Sequence, residues 1–215
     1  MNMQISAGRK YTTTLIREDV RILKLVRARR AERELSILNE LALSIGGAGS
    51  LQEILQLVIR SATRATGAEQ GVITLLNPGN NSLQTLVRTR SLSASKWLFR
   101  PGACLIGWMQ AYQQPLVVND PLHDPRFEGA TWDPAVHSVL SVPLLDRGRL
   151  LGQITVFNRI SGDGFDAEDV RLMTIIAAQA AQVIENARLA QDKARLIALL
   201  VRHCPPGTIE KLIVC

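Results

Sequence analysis

Ile176, Ala180, Val183, Ala187, Ala190, Ala194, Ile197 and Val201 recur at spacings of three and four, with no polar residue among them. That period lines one face of an α-helix, and the spacing predicts a helix over 167–201. Leu172, Met173 and Ile175 widen the apolar surface at its start, where the helix should pack on the rest of its domain. Past Ala190 the flanks carry Asp192, Lys193 and Arg195, and the stripe has nothing in its own domain to cover it. A stripe of small apolar residues between charged flanks predicts a parallel pairing with a second copy. Pro205-Pro206-Gly207 ends the helix, and a short amphipathic piece, Thr208–Val214, follows.

A second stripe stands near the start. Ala28, Ala31, Leu35, Leu38, Ala42 and Ile45 keep the same spacing, so 17–45 is expected to be a helix that assists the dimer. Gly46-Gly47-Ala48-Gly49 breaks it and reads as a hinge; residues 1–16 show no period. The chain carries a formal charge of +6. Residues 1–50 hold 9 basic and 5 acidic residues, so the remainder is close to neutral. Glu18, Asp19, Glu32 and Glu34 interrupt the arginines of the first helix, so that face is expected to be solvated rather than a reader of DNA. Aromatic residues make up 4%, too few for base-stacking platforms.

Between the two stripes lies a domain. Ser50-Leu-Gln-Glu53 has the pattern of a capping box, and Leu51, Ile54, Leu55, Val58, Ile59 and Ala62 form the apolar face of the helix it opens. Gly67 stops that helix. Strands are expected at Gln70–Leu76 and Leu83–Arg90, joined by a turn at Asn77-Pro-Gly-Asn-Asn81. Residues 91–136 are irregular, with a short helix near Leu105–Tyr112, a short strand Pro115–Val118 and a proline-rich loop Asp120–Pro134. Strands His137–Leu144 and Arg149–Arg159 follow, with Asp146-Arg147-Gly148 as a tight hairpin turn. Strands bunched between helices define an α+β domain. The boundaries are 1–16, the helix and hinge 17–49, the domain 50–189, and a helical extension and linker 190–215.

Motifs for chemistry are sparse. There is no GxxxxGK[ST], GxSxG or HExxH pattern. Cys104, Cys204 and Cys215 lie far apart, which argues against a disulfide framework or a zinc site. His123, His137 and His203 have no neighbour at metal-ligand spacing. No apolar h-region stands at the start, and the longest uncharged apolar run, Leu172–Ile184, is too short to span a bilayer. A cytoplasmic protein with no catalytic activity and no metal is expected. A haem at His137 or a chromophore linked to Cys104 stays open as an alternative.

Several ordered stretches resemble the GAF domain family: Pro101-Gly-Ala-Cys-Leu-Ile-Gly-Trp-Met109, Gln114-Pro-Leu-Val-Val-Asn-Asp120, His123-Asp-Pro-Arg-Phe127, Ser138-Val-Leu-Ser-Val-Pro-Leu144, Gly152-Gln-Ile-Thr-Val-Phe-Asn158, and Phe165-Asp-Ala-Glu-Asp169. The resemblance runs from about Leu51 to Leu189. It implies a six-stranded antiparallel sheet with helices on one face and a small-molecule pocket on the other, in a regulatory sensor that dimerises through its terminal helices. The tail Leu200–Ile213 is similar to the linker that leads into class III nucleotidyl cyclases, which suggests such an output domain.

By the resemblance, the pocket lies under 91–134, with Trp108, Asp120, Ser138, Ser141 and Gln153 as candidate polar contacts and Trp97 and Trp132 as covers. GAF domains that bind cyclic nucleotides carry an Asn-Lys, Phe, Asp-Glu motif. The matching positions here are Asn158-Arg159, Phe165 and Asp169-Val170, so lysine is replaced by arginine and the glutamate is lost. A cyclic nucleotide is therefore the leading specific ligand, and an Arg159–Asp169 ion pair is expected to pin the strand end to the last helix. The same residues also read as plain helix capping, with Asp166 as N-cap, Asp169 at N3, and Phe165 and Val170 as a hydrophobic staple. The cysteine–histidine pair of the family's chromophore domains and the clustered cysteines of its methionine sulfoxide reductases are absent.

Overall fold

The computed structural model describes residues 51–77 and 102–203, together with Ser36; for 83–90, Leu200 and His203 it describes the backbone alone. The helix expected at 17–45, the Ser50 cap, Trp97 and the tail after His203 lie outside the described residues.

Helix α1 (Leu51–Thr66) buries Ile54, Leu55, Val58, Ile59 and Ala62, the face set by its 3-4 spacing. Gly67, at φ +61°, ends it in the left-handed conformation that glycine adopts without strain. Strand β1 (Ala68–Leu76) follows at once. A Cβ on Gly71 would lie 2.7 Å from Ile59 Cδ1 and Thr63 Cγ2, so its absence is what lets α1 lie directly on the strand.

The chain continues through β2 (Leu83–Arg90), α2 (Ala103–Tyr112), β3 (Leu116–Val118), a 3-10 turn at Pro125–Phe127, β4 (Val139–Asp146), β5 (Arg149–Arg159) and α3 (Ala167–His203). The strands form one antiparallel sheet in the order β2-β1-β5-β4-β3. Arg147 (φ +48°) and Gly148 (φ +79°) turn β4 into β5, with both central residues left-handed as a two-residue hairpin requires.

The sheet corrects one expectation. The resemblance implies six strands; the described residues form five, the number read from candidate strand runs and the turn sequences between them. Between β3 and β4 the chain carries Pro121, Pro125 and Pro134, which have no N–H to offer a ladder, and it runs as turns instead.

One face of the sheet receives α1 and α3, which also pack on each other. Helix α3 buries Leu172, Met173, Ile176, Ala177, Ala180, Ala181 and Ile184 there. Arg149 Nη2 meets Glu185 Oε1 at 2.6 Å, and Arg188 Nη2 donates to the Leu76 carbonyl at 2.9 Å. The proposed seam thus divides: Ile176 and Ala180 are buried in their own domain, while Ala190, Ala194, Ile197 and Val201 are exposed. Among the described residues, no helix is long and apolar enough to cross a membrane.

Candidate ligand-binding site and its tie to the last helix

The other face of the sheet has a polar end and an apolar end. Register pairs Thr74 with Gln153 and Ser141 with Thr155, which sets four polar side chains on one face of three strands, in two neighbouring rows. All four are at most 2% exposed. The Ser141 and Thr155 hydroxyls lie 2.9 Å apart, and Gln153 Nε2 donates to Thr155 Oγ1 at 3.2 Å. Among the described residues the buried Thr74 hydroxyl has no hydrogen-bond partner, a cost that folded proteins rarely accept without a use for the group. Ser141 and Gln153 were expected from the sequence. Thr74 and Thr155 were not, although Gln153 and Thr155, two places apart, share one face of a strand.

At the apolar end Val72, Val139 and Phe157 of the sheet meet Leu105 of α2, Leu116 and Val118 of β3, and Phe127 and Val136 of the loop. Trp108 and Trp132 pack against this cluster, Trp132 edge-on to Phe127 with centroids 5.6 Å apart. Trp108 also stacks obliquely on Tyr112, with centroids 4.9 Å apart, and is not among the residues lining the cleft beyond the cluster. Outside the cluster lies a cleft of about 300 Å³ lined by Gly102–Leu105 and Gly129–Trp132, with Cys104 exposed on α2.

The five candidate contacts do not converge on that cleft. Asp120 is exposed and faces the His123 ring at 2.9 Å. Ser138 is buried, and its hydroxyl accepts from Arg159 N at 3.1 Å. His137 is exposed and outside the cleft lining, so its place does not fit that of an axial haem ligand there.

Asn158, Arg159, Phe165 and Asp169 do come together, at the root of α3. Asn158 holds φ +53°, a conformation that asparagine tolerates better than most residues. Its Oδ1 accepts from His137 N at 2.8 Å, and its Nδ2 donates to Ala135 O at 2.8 Å and Glu69 Oε2 at 2.9 Å. One side chain thus fastens the end of the loop to β5 and β1. Arg159 Nη1 donates to Gly164 O at 2.9 Å and lies 3.2 Å from both Asp166 Oδ2 and Asp169 Oδ2.

Capping and ion pairing therefore coexist. Asp166 Oδ1 accepts from the backbone N–H of Glu168 (2.8 Å) and Asp169 (3.0 Å), and Asp169 Oδ2 accepts from Asp166 N at 3.0 Å, a reciprocal box. The hydrogen bond from the Asp169 N–H, with Arg159 adding to it, holds the Asp166 carboxyl below its ordinary range. Burial pushes Asp169 the other way, above its ordinary range, against the pull of its hydrogen bond and of Arg159. Phe165 is buried between these groups, and its peptide is gripped by a residue that sequence reasoning missed: Asn119. Asn119 Oδ1 accepts from Phe165 N at 2.8 Å, and Nδ2 donates to Phe165 O at 2.9 Å.

A long helix rooted in the rim of a sheet, with α2, β3 and an irregular loop on the sheet's other side, defines an α+β domain. The family model for the GAF domain matches residues 48–185, more than half of the chain, and the chain belongs to that family. Members are commonly sensory or regulatory signalling domains. The fold is similar to that of the GAF domain from a phosphoenolpyruvate-protein phosphotransferase of Coxiella burnetii, with 21% identity, a TM-score of 0.61, and coverage of 75% of this chain and 98% of that one. It is also similar to residues 122 to 287 of a methyl-accepting chemotaxis protein (18% identity, TM-score 0.56, coverage 70% and 98%). A third likeness is to the free methionine-R-sulfoxide reductase of Neisseria meningitidis (18% identity, TM-score 0.57, coverage 75% and 93%). No curated protein matches the chain.

Proposed function

We propose that this is a non-catalytic cytoplasmic sensor. A small molecule held between the sheet and the segment over it biases the setting of α3, which pairs with a second copy and passes the bias to an output domain such as a nucleotidyl cyclase. The carrying observation is the course of α3. It begins in the Arg159–Asp166–Asp169 cluster at the rim of the site and leaves the domain as an exposed helix striped with Ala190, Ala194, Ile197 and Val201. A ligand moves such an equilibrium only as far as it binds one setting more tightly than the other.

The ligand class is a neutral or anionic heterocycle, with a cyclic nucleotide first among them. The unpartnered Thr74 hydroxyl and the Gln153 amide suit the polar edge of such a molecule. Calorimetric titration with cyclic AMP and cyclic GMP up to about 1 mM tests this, because a site weaker than about −4 kcal/mol is of little use to a sensor. Heat with either supports the assignment; none with both withdraws it. Sedimentation tests the pairing: Ala187→Glu with Ala194→Glu should give monomers, and a parent chain already monomeric at tens of micromolar refutes it.

A second reading has its own observation. Leu105, Phe127 and Val136 already fill the apolar end of the site with the chain's own side chains. If no small molecule raises the melting temperature, the domain is a ligand-free dimerisation module.

A further inference from the structure

We propose that Asn119 is a positioning residue: its side-chain amide fastens the cleft-bearing half of the domain to the entry of α3, so that displacement of the cleft walls reaches α3 through this amide. The biological use of the fastening rests on the sensory reading; its existence does not.

The geometry is that of a strand neighbour built from a side chain. The amide donates to the Phe165 carbonyl and accepts from the Phe165 N–H, at 2.9 and 2.8 Å. An amide offers a donor and an acceptor side by side; aspartate offers acceptors alone. Gly164 is shaped to this contact. A Cβ built on it would lie 2.5 Å from Asn119 Cγ and 2.7 Å from Oδ1, and its φ of +76° is one that glycine adopts freely.

Asn119 also sits at the right place in the chain. It directly follows β3, whose Leu116 and Val118 share one core cluster with Leu105 and Phe127. Leu105 belongs to one cleft wall, and Phe127 packs on Trp132 of the other. Arg126 Nη2 donates to the Val117 carbonyl at 2.6 Å, which ties the loop to the same short strand. Motion of either wall is therefore carried to β3 by packing, and from β3 to Phe165 by one amide. Phe165 in turn precedes Asp166, the cap of α3.

The test needs no ligand, so its failure is separable from failure of the sensory reading. In a chain carrying Cys204→Ser and Cys215→Ser, Cys104 on the cleft wall is alkylated with N-ethylmaleimide. Hydrogen exchange is then followed over 166–175. Alkylation is expected to change exchange there in the parent chain. In Asn119→Ala, basal exchange of the first turn should rise roughly tenfold as two hydrogen bonds are lost, and the response to alkylation should fall below about a third of the parent's. Asn119→Asp, which keeps the acceptor and sets an oxygen against the Phe165 carbonyl, and Gly164→Ala, which drives a methyl into the amide, should show the same loss of response. Folding is checked by circular dichroism, and any one folded variant suffices. A residue that merely stabilises the fold would raise basal exchange and leave the response intact. A full response in a folded variant, or none in the parent chain, overturns the proposal.

Discussion

The two halves of α3 share one apolar period and have opposite surroundings. From Ala167 to Arg188 the helix is capped by Asp166, braced by Arg159 and packed on the sheet, with Met173, Ile176 and Ile184 fully buried. From Leu189 to Leu199, and again at Val201 and Arg202, every residue is exposed, Leu196 to 61%. The period alone makes both halves helical. What separates them is the cover: the first half lies on the sheet, with its Glu185 and Arg188 held by Arg149 and the Leu76 carbonyl, while in the second Asp192, Lys193 and Arg195 flank an exposed stripe. One apolar period thus serves both a half that its own domain covers and a half that it leaves exposed.

The contrast can be broken at graded points. Ile176→Ala should cost the most, on the order of 2–5 kcal/mol in urea unfolding, because it empties a site that is fully enclosed. A cost below about 1 kcal/mol would mean that the first half is not anchored as described. Asp166→Ala removes the acceptor for two backbone N–H groups and should cost about 0.5–2 kcal/mol, with exchange rising in the first turn of α3 and not beyond Leu189.

Acidity separates the two carboxyls of the cap. The lowered Asp166 group adds stability that is full above the ordinary carboxylate range near pH 4 and is lost as pH falls through its lowered value. The raised Asp169 group acts in the opposite sense, since ionising it in its buried place costs stability as pH climbs through its raised value. In Asp169→Asn the melting temperature should therefore climb more steeply than in the parent between about pH 3 and pH 6. An unchanged slope would show that Arg159 fully offsets the burial. The smallest effect belongs to the free half: Leu196→Ala should alter the folding of the isolated domain by no more than about 0.5 kcal/mol. Its effect should instead appear as a lost dependence of stability on protein concentration.

Much of this was legible beforehand. The five strands followed from apolar runs bounded by turn residues, the Arg147-Gly148 turn from Asp-Arg-Gly between two strands, and the last helix from its period. Arg159, Phe165 and Asp169 were placed together because capping rules and the family motif point to the same few positions. The site itself was harder to read. Asp120 looked like a pocket residue, yet it pairs with His123 on the surface, because a loop between prolines gives no period from which direction can be read. Thr74 was hidden because one hydroxyl among apolar strand residues is usual until its partners are counted. Asn119 was invisible for a related reason: its role depends on Gly164 lying beside it, 45 positions away in sequence, and no local pattern records that meeting.

The length of α3 beyond Arg188 has a mechanical consequence. From Leu189 to His203 the helix extends about 22 Å at 1.5 Å per residue. On the sensory reading proposed above, it would act as a lever whose fulcrum is the domain edge. A tilt of about 5° at the root, which costs no more than slight side-chain rearrangement, swings the tip by about 2 Å. That is the size of shift by which packed helices exchange one arrangement for another. On that reading the cleft could remain small and its movements slight, because the reach of the helix would supply the amplification.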